Sequence, residues 1–229
     1  MRQLIFEVFD KDGVSNKLEL TVKKNCIIGF AGREIEKTME HIRELEAIGV
    51  PAPKNIPTIY TCSTSTLTQD ASISVIGSKS SGEVEFILLK HHGRIYVGIG
   101  SDHTDRAMES YSVSKSKGVC EKPVGTVLWE YEDVKDHWDD LEMRSWYRQD
   151  EHSDEVLYQE GTAESILPLD KLMEAAERDY PDIEDCIIFS GTVPLKVGMV
   201  YGTHFRAEIR DLKLGRKLEL EYDVEFLPD

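Results

Sequence analysis

The chain has 229 residues, enough to bury one sizeable core without disulfides. Its hydrophobic content of 40% and charged content of 31% exclude a disordered or fibrous class. Lys and Arg total 27 against 43 Asp and Glu, a formal net charge of -16, which argues against a nucleic-acid partner because phosphates need a basic surface.

The chain opens with two expected strands. Leu4–Phe9 is rich in strand formers, and Lys17–Val22 alternates after the turn Lys11-Asp12-Gly13. Cys26 to Gly32 is a short apolar strand running into glycines. From Arg33 to Ile48 the apolar residues Ile35, Met39, Ile42, Leu45 and Ile48 recur at helical spacing, and Gly49 closes the helix. A proline-punctuated passage from Val50 to Pro57 leads to Thr58-Ile59-Tyr60 and the hydroxyl-rich run Ser63 to Thr66. Strands are expected at Ala71–Ile76, Glu83–Lys90 and Arg94–Ile99, the last two joined by the turn His91-His92-Gly93. Thr126–Tyr131 follows, then an acidic segment, Glu132–Asp140, read as a solvated loop with Trp138 anchored; a lid or dimer contact is the alternative. Leu141–Tyr147 and Val156–Gln159 pair as a hairpin. Ile166–Arg178 is a second helix stopped near Pro181. Cys186–Ser190 is an apolar strand, and Phe205–Ile209 and Lys217–Phe226 finish the chain around a Gly215 turn. Strands dominate and no linker or repeat divides the chain, so one α+β domain over residues 1–229 is expected.

Cys26, Cys62, Cys120 and Cys186 are widely spread with no C-x-x-C, which fits neither a zinc ribbon nor a disulfide framework and points to reduced core thiols. No signal-peptide run or apolar stretch of roughly 20 residues occurs. A cytoplasmic protein without membrane contact is expected.

Chemistry concentrates in the middle of the chain. In a strand, Glu83 and Glu85 project to one face while Val84, Phe86 and Leu88 face the other way. Two such carboxylates repel unless a cation lies between them, and their hard oxygens suit Mg²⁺, Mn²⁺ or Ca²⁺ better than zinc. Asp102, just past the end of the next apolar strand and beside Gly100, offers a third carboxylate; its alternative is a turn or capping role, which Asp105 could take instead. Ser114-Lys115-Ser116-Lys117-Gly118 puts a cation near the same region, able to hold a substrate carboxylate or enolate. His91-His92-Gly93 reads as a hairpin turn, and Gly98-Ile99-Gly100 opens no helix and is no dinucleotide fingerprint.

The order of these pieces resembles the fumarylacetoacetate-hydrolase superfamily. Its E-x-E strand corresponds to Glu83-Val84-Glu85, and its D-x-T-x-R-type segment to Asp102-His103-Thr104-Asp105-Arg106. Its Lys-Ser pair corresponds to Lys115-Ser116 with Cys120 to Gly125 behind, and its G-T-P turn to Gly191-Thr192-Val193-Pro194, one residue longer. The helix motif H-x-x-E resembles His41-Ile42-Arg43-Glu44, and the proline and hydroxyl passage resembles Pro51 to Asp70. The likeness runs from residue 26 to the C-terminus, with residues 1–25 as added N-terminal strands, and the chain is similar to a divergent branch of unassigned function, domain of unknown function 2848.

The resemblance implies an α+β fold of mixed and antiparallel sheets rolled around a central cleft, with few helices, in a homodimer. It implies Glu83, Glu85 and Asp102 as ligands of Mg²⁺ or Mn²⁺. Lys115, Gly191 and Thr192 would bind substrate, with Lys115 also catalytic, and His41 with Glu44 would activate water. The implied activity is hydrolysis of a C–C bond in a 2-oxo or 1,3-dicarbonyl acid. Decarboxylation, tautomerisation or hydration chemistry on the same site is an alternative, as is a non-catalytic binding protein that keeps the fold.

Overall fold

Alternating β-branched and aromatic residues decide which face of each strand is buried. In the computed structural model, which describes residues 1–47 and 52–228, the chain opens with the hairpin β1 (Arg2–Phe9) and β2 (Ser15–Val22). Then come β3 (Lys24–Gly29), α1 (Ile35–Ala47) and β4 (Thr58–Cys62). The expected helix end at Ile48 and Gly49 and the Val50-Pro51 step lie outside the described residues, as do the side chains of His41 and Leu45. Short strands β5 (Leu67–Thr68), β6 (Ser72–Ile76) and β7 (Ser80–Ser81) lead into the long pair β8 (Val84–His91) and β9 (Arg94–Ser101). Beyond them lie β10 (Thr104–Asp105), α2 (Arg106–Glu109), α3 (Val113–Gly118), β11 (Lys122–Pro123), β12 (Val127–Glu130) and α4 (Tyr131–Val134). The chain ends with β13 (Glu142–Arg148), β14 (Val156–Thr162), α5 (Leu169–Asp179), β15 (Cys186–Thr192), β16 (His204–Asp211) and β17 (Arg216–Leu227).

One mixed sheet has eight strands in the order β2-β1-β12-β9-β8-β15-β3-β4, and a second has five in the order β14-β13-β16-β17-β6. Two small ladders, β7 with β10 and β5 with β11, bridge the loops beside β9. The sheets curl into a strand-dominated half-barrel with few helices. Central strands are buried on both faces, which explains why β8 reads as a continuous apolar run after its glutamates. Val84, Phe86 and Leu88 pack with Tyr147, Phe205 and Tyr222 of the five-stranded sheet, whereas Ile87 and Leu89 pack on the other side with Leu4, Phe6 and Phe189. All four cysteines are free and buried. Among the described residues, no helix is long and apolar enough to cross a membrane.

Several local expectations shift. The second helix begins at Leu169, not Ile166, because Pro168 takes the extended cap position and holds the residue before it out of the helix. The polar run around Ser114 is the helix α3, capped by the Ser112 side chain. The acidic segment Glu132–Asp140 is not a loop: it folds as α4 and a 3₁₀ turn. Trp138 packs on Phe86 with ring centroids 4.5 Å apart, and His137 Nε2 meets Asp211 Oδ1 at 2.9 Å.

Candidate metal centre

The antiparallel register sets Glu85 opposite Gly100 and Val84 opposite Ser101, so the chain leaves β9 level with the two glutamates. Asp102 is the first residue past that edge, and its N–H donates to the Glu83 carbonyl at 3.1 Å. Close approach of the strands depends on glycine, since a Cβ at Gly100 would stand 2.6 Å from both Ile87 Cγ2 and Phe189 Cε1. One carboxylate oxygen from each of Glu83, Glu85 and Asp102 lies within 4.8 Å of the other two. Glu83 is partly exposed, whereas Glu85 and Asp102 are buried. At the end of β15 the chain turns through Gly191, whose φ of 92° is open to glycine and strained for other residues. The turn aims the Gly191 N–H at Glu85 Oε2, 2.8 Å away.

Three cations close on these carboxylates. Lys117 Nζ bonds Asp102 Oδ2 and lies 4.0 Å from Glu83 Oε2. Lys122, fully buried, sits 3.2 Å from Asp102 Oδ1 and donates to the His103 carbonyl. Arg106 Nη2 lies 3.0 Å from Glu83 Oε1, while its Nε donates to Ser81 Oγ at 2.7 Å and its Nη1 to Glu109 at 3.1 Å. The His103 ring, buried below, spans Tyr222 OH and Ser80 Oγ, each at 2.9 Å.

The electrostatics divide the two buried carboxylates. Burial and the charge of Asp102 push the Glu85 carboxyl well above the usual range, against the pull of Lys117. Asp102 is just as buried, but Lys117 and Lys122 outweigh that burial and hold it at about 2. Burial opposes the charge on Lys117, yet Asp102 and the glutamates raise its pKa. Burial, then Lys122 and Arg106, lower the His103 imidazole to about 3, so it is neutral.

The family model described as "Protein of unknown function (DUF2848)" matches residues 28–222. The chain belongs to this family. No curated protein matches it. Among solved structures, the DUF2848 chain is similar to Cg1458 at 13% identity, covering 93% of this chain and 84% of that one with a TM-score of 0.65. It is also similar to 2-keto-3-deoxy-D-arabinonate dehydratase complexed with magnesium and 2,5-dioxopentanoate (15% identity, 94% and 78% coverage, TM-score 0.61). A third is the fumarylacetoacetate hydrolase of psychrophilic Exiguobacterium antarcticum (17% identity, 93% and 82% coverage, TM-score 0.60). The fold is therefore that of the fumarylacetoacetate-hydrolase superfamily.

The donor set of this DUF2848 protein fits a hard divalent cation. It consists of carboxylate oxygens alone, and Glu85 is costly to ionise until a positive charge is brought to it. A second group, His91, Glu184 and Asp185, also converges within 4.8 Å. Its Asp185 is already met by Lys23 at 2.8 Å and by His91 at 2.6 Å, and the group lies at the turn between β8 and β9.

The other expected residues fall into three groups. Lys115 is not at the site: it is exposed on α3, because residues two apart on a helix point away from each other. Lys117 supplies the cation that the sequence placed at Lys115. Gly191 and Thr192 adjoin the site, but the Gly191 N–H is taken by Glu85, and the Thr192 hydroxyl donates to the Val84 carbonyl at 2.6 Å. Both groups brace the strand that carries the glutamates. His41 and Glu44 both lie on α1; Glu44 is exposed, and the His41 side chain is outside what is described. Asp105 takes the capping role left open for it, accepting from Met108 N at 2.9 Å. The sequence reading missed Lys122 and gave Arg106 no role. For Lys117, an N-cap at Ser112 followed by a short helix is the signal that would have set the phase.

Proposed function

We propose that this chain is a divalent-cation-dependent enzyme acting on a 2-oxo acid, with Mg²⁺ or Mn²⁺ held by Glu83, Glu85 and Asp102. The observation that carries this reading is the convergence of three carboxylates beside three buried cationic side chains. A bound divalent cation would supply Lewis-acid polarisation of the 2-oxo group. Lys117, at the edge of the cluster, holds the carboxylate of the incoming acid or the negative charge that develops on its oxygen. Lys122 helps to keep Asp102 ionised, and Arg106 fixes the Glu83 carboxylate in place.

The finer reading is hydrolysis of a C–C bond in an acylpyruvate-type or 1,3-dicarbonyl acid, with His41 and Glu44 delivering the water. One observation favours a second reading, a lyase such as a dehydratase or decarboxylase that needs no activated water. His103, the imidazole beside the cluster, is neutral and engaged at both nitrogens. The likeness to a dehydratase complexed with magnesium supports that second reading.

Calorimetry with Mg²⁺ and Mn²⁺ on the wild type and Glu85→Ala tests the cation site, and binding by the wild type alone is expected. Product analysis on acylpyruvates, oxaloacetate and 2-keto-3-deoxy sugar acids then separates hydrolysis, decarboxylation and dehydration. A wild type that binds neither ion, alone or with these acids, refutes the proposal.

A further inference from the structure

We infer that Gln159, on the edge strand β14 of the five-stranded sheet, is a positioning residue that holds the cation ligands of the other sheet in register. The inference rests on the cation site proposed above. Gln159 is fully buried, and its amide crosses from one sheet to the other. Its Oε1 accepts from the Val84 N–H at 2.9 Å and from Ser145 Oγ at 2.8 Å. Its Nε2 donates to Thr192 Oγ1 at 2.7 Å and to the Val193 carbonyl at 3.0 Å. Those partners fix the orientation of the amide, since a backbone N–H can only donate and a carbonyl can only accept.

The place of these bonds gives them their role. The β8–β15 ladder breaks register between Phe189 and Thr192. At that break both polar groups of Val84 are met by side chains, the N–H by Gln159 and the carbonyl by Thr192 Oγ1 at 2.6 Å. Val84 lies between Glu83 and Glu85, and Thr192 follows the Gly191 whose N–H holds Glu85. One buried amide therefore sets the spacing of the two glutamates and the height of the turn beneath Glu85. Glutamine suits this place because it joins two acceptor sites to two donors. A carboxylate cannot donate, and an apolar isostere leaves Val84 and Val193 unsatisfied.

The test measures Mn²⁺ affinity of the full chain by calorimetry, and the spectrum of bound Mn²⁺ by paramagnetic resonance, for wild type, Gln159→Leu, Gln159→Glu and Ser145→Ala. Gln159→Leu is expected to lose at least ten-fold in affinity with a broadened Mn²⁺ spectrum. Ser145→Ala, which removes a bond to the same oxygen but leaves Val84 and Thr192 held, is expected to stay within two-fold of wild type whatever it costs in stability. Gln159→Glu keeps the assay available where the leucine variant does not fold. Its affinity relative to wild type is expected to fall between pH 5 and 8, as the carboxyl loses the proton it could donate. Simple attraction between the new charge and the cation would make that ratio rise, which would overturn the inference. Gln159→Leu within two-fold of wild type, or Ser145→Ala losing as much as Gln159→Leu, would overturn it too. A wild type that binds no Mn²⁺ refutes the cation site itself, and this inference with it.

Discussion

Asp102→Asn, measured without metal, tests whether the two buried carboxylates differ as the geometry says. The substitution keeps the shape of the side chain and removes the charge facing Lys117 and Lys122, whose side chains are 8% and 0% exposed. Asp102 sits at about 2 against its ordinary 3.8, which corresponds to about 2.4 kcal/mol of stability. That contribution is present above the unfolded value and is lost as pH falls through about 2. Leaving a buried ammonium short of its partner costs about 3–5 kcal/mol. The two routes bracket a loss of about 2–5 kcal/mol, or roughly 5–20 °C in Tm for a chain of this length. Glu85→Gln is the contrast. Its carboxyl is already biased toward the neutral form, and an amide oxygen still accepts from Gly191. This variant is expected within about 1 kcal/mol of wild type near pH 4.5, gaining relative to it as pH rises and the wild-type carboxyl is forced to ionise. Both variants lose cation binding. Denaturant unfolding with a chelator present, from pH 4 to 8, reads the difference. Equal losses for the two variants, or none for Asp102→Asn, would refute the reasoning.

Other outcomes follow from the same geometry. Lys117→Met is expected to lower turnover of a cleaved 2-oxo acid by at least about 100-fold, and Lys115→Met to leave it within two-fold; steady-state kinetics on both variants checks which lysine serves the site. Gly191→Ala would place a Cβ 2.8 Å from the Ala31 Cβ at a φ of 92°, costing about 1–3 kcal/mol and weakening Mn²⁺ binding through the displaced N–H, both read by unfolding and calorimetry. His103, held neutral to about 3 against its ordinary 6.5, makes the unfolded chain the stronger proton acceptor over that interval. Stability therefore falls by about 5 kcal/mol as pH drops through it, and His103→Gln should flatten that limb in acid unfolding.

The sequence by itself determined most of the strands and the three carboxylates that converge. Glu83 and Glu85 were legible because a strand repeats every two residues, and that repeat survives whatever packs around it. Asp102 was legible because an acid beside glycine at the end of a buried strand has few places to point. Lys115 was chosen over Lys117 through the Lys-Ser pair of the resemblance. Ser112 to Gly118 carries too few apolar residues to show the helical period that would have separated the two lysines. Only the docking of α3 against β4 and β10 decided which lysine turned inward. Lys122 and Gln159 gave no local signal, since a lysine before a proline and a glutamine in a hairpin strand are ordinary surface residues until another element covers them. What tertiary structure decided was the partner of each polar side chain. Burial makes an unpaired charge or amide costly, so Lys122 closes on Asp102 and Gln159 on Val84 once the two sheets meet.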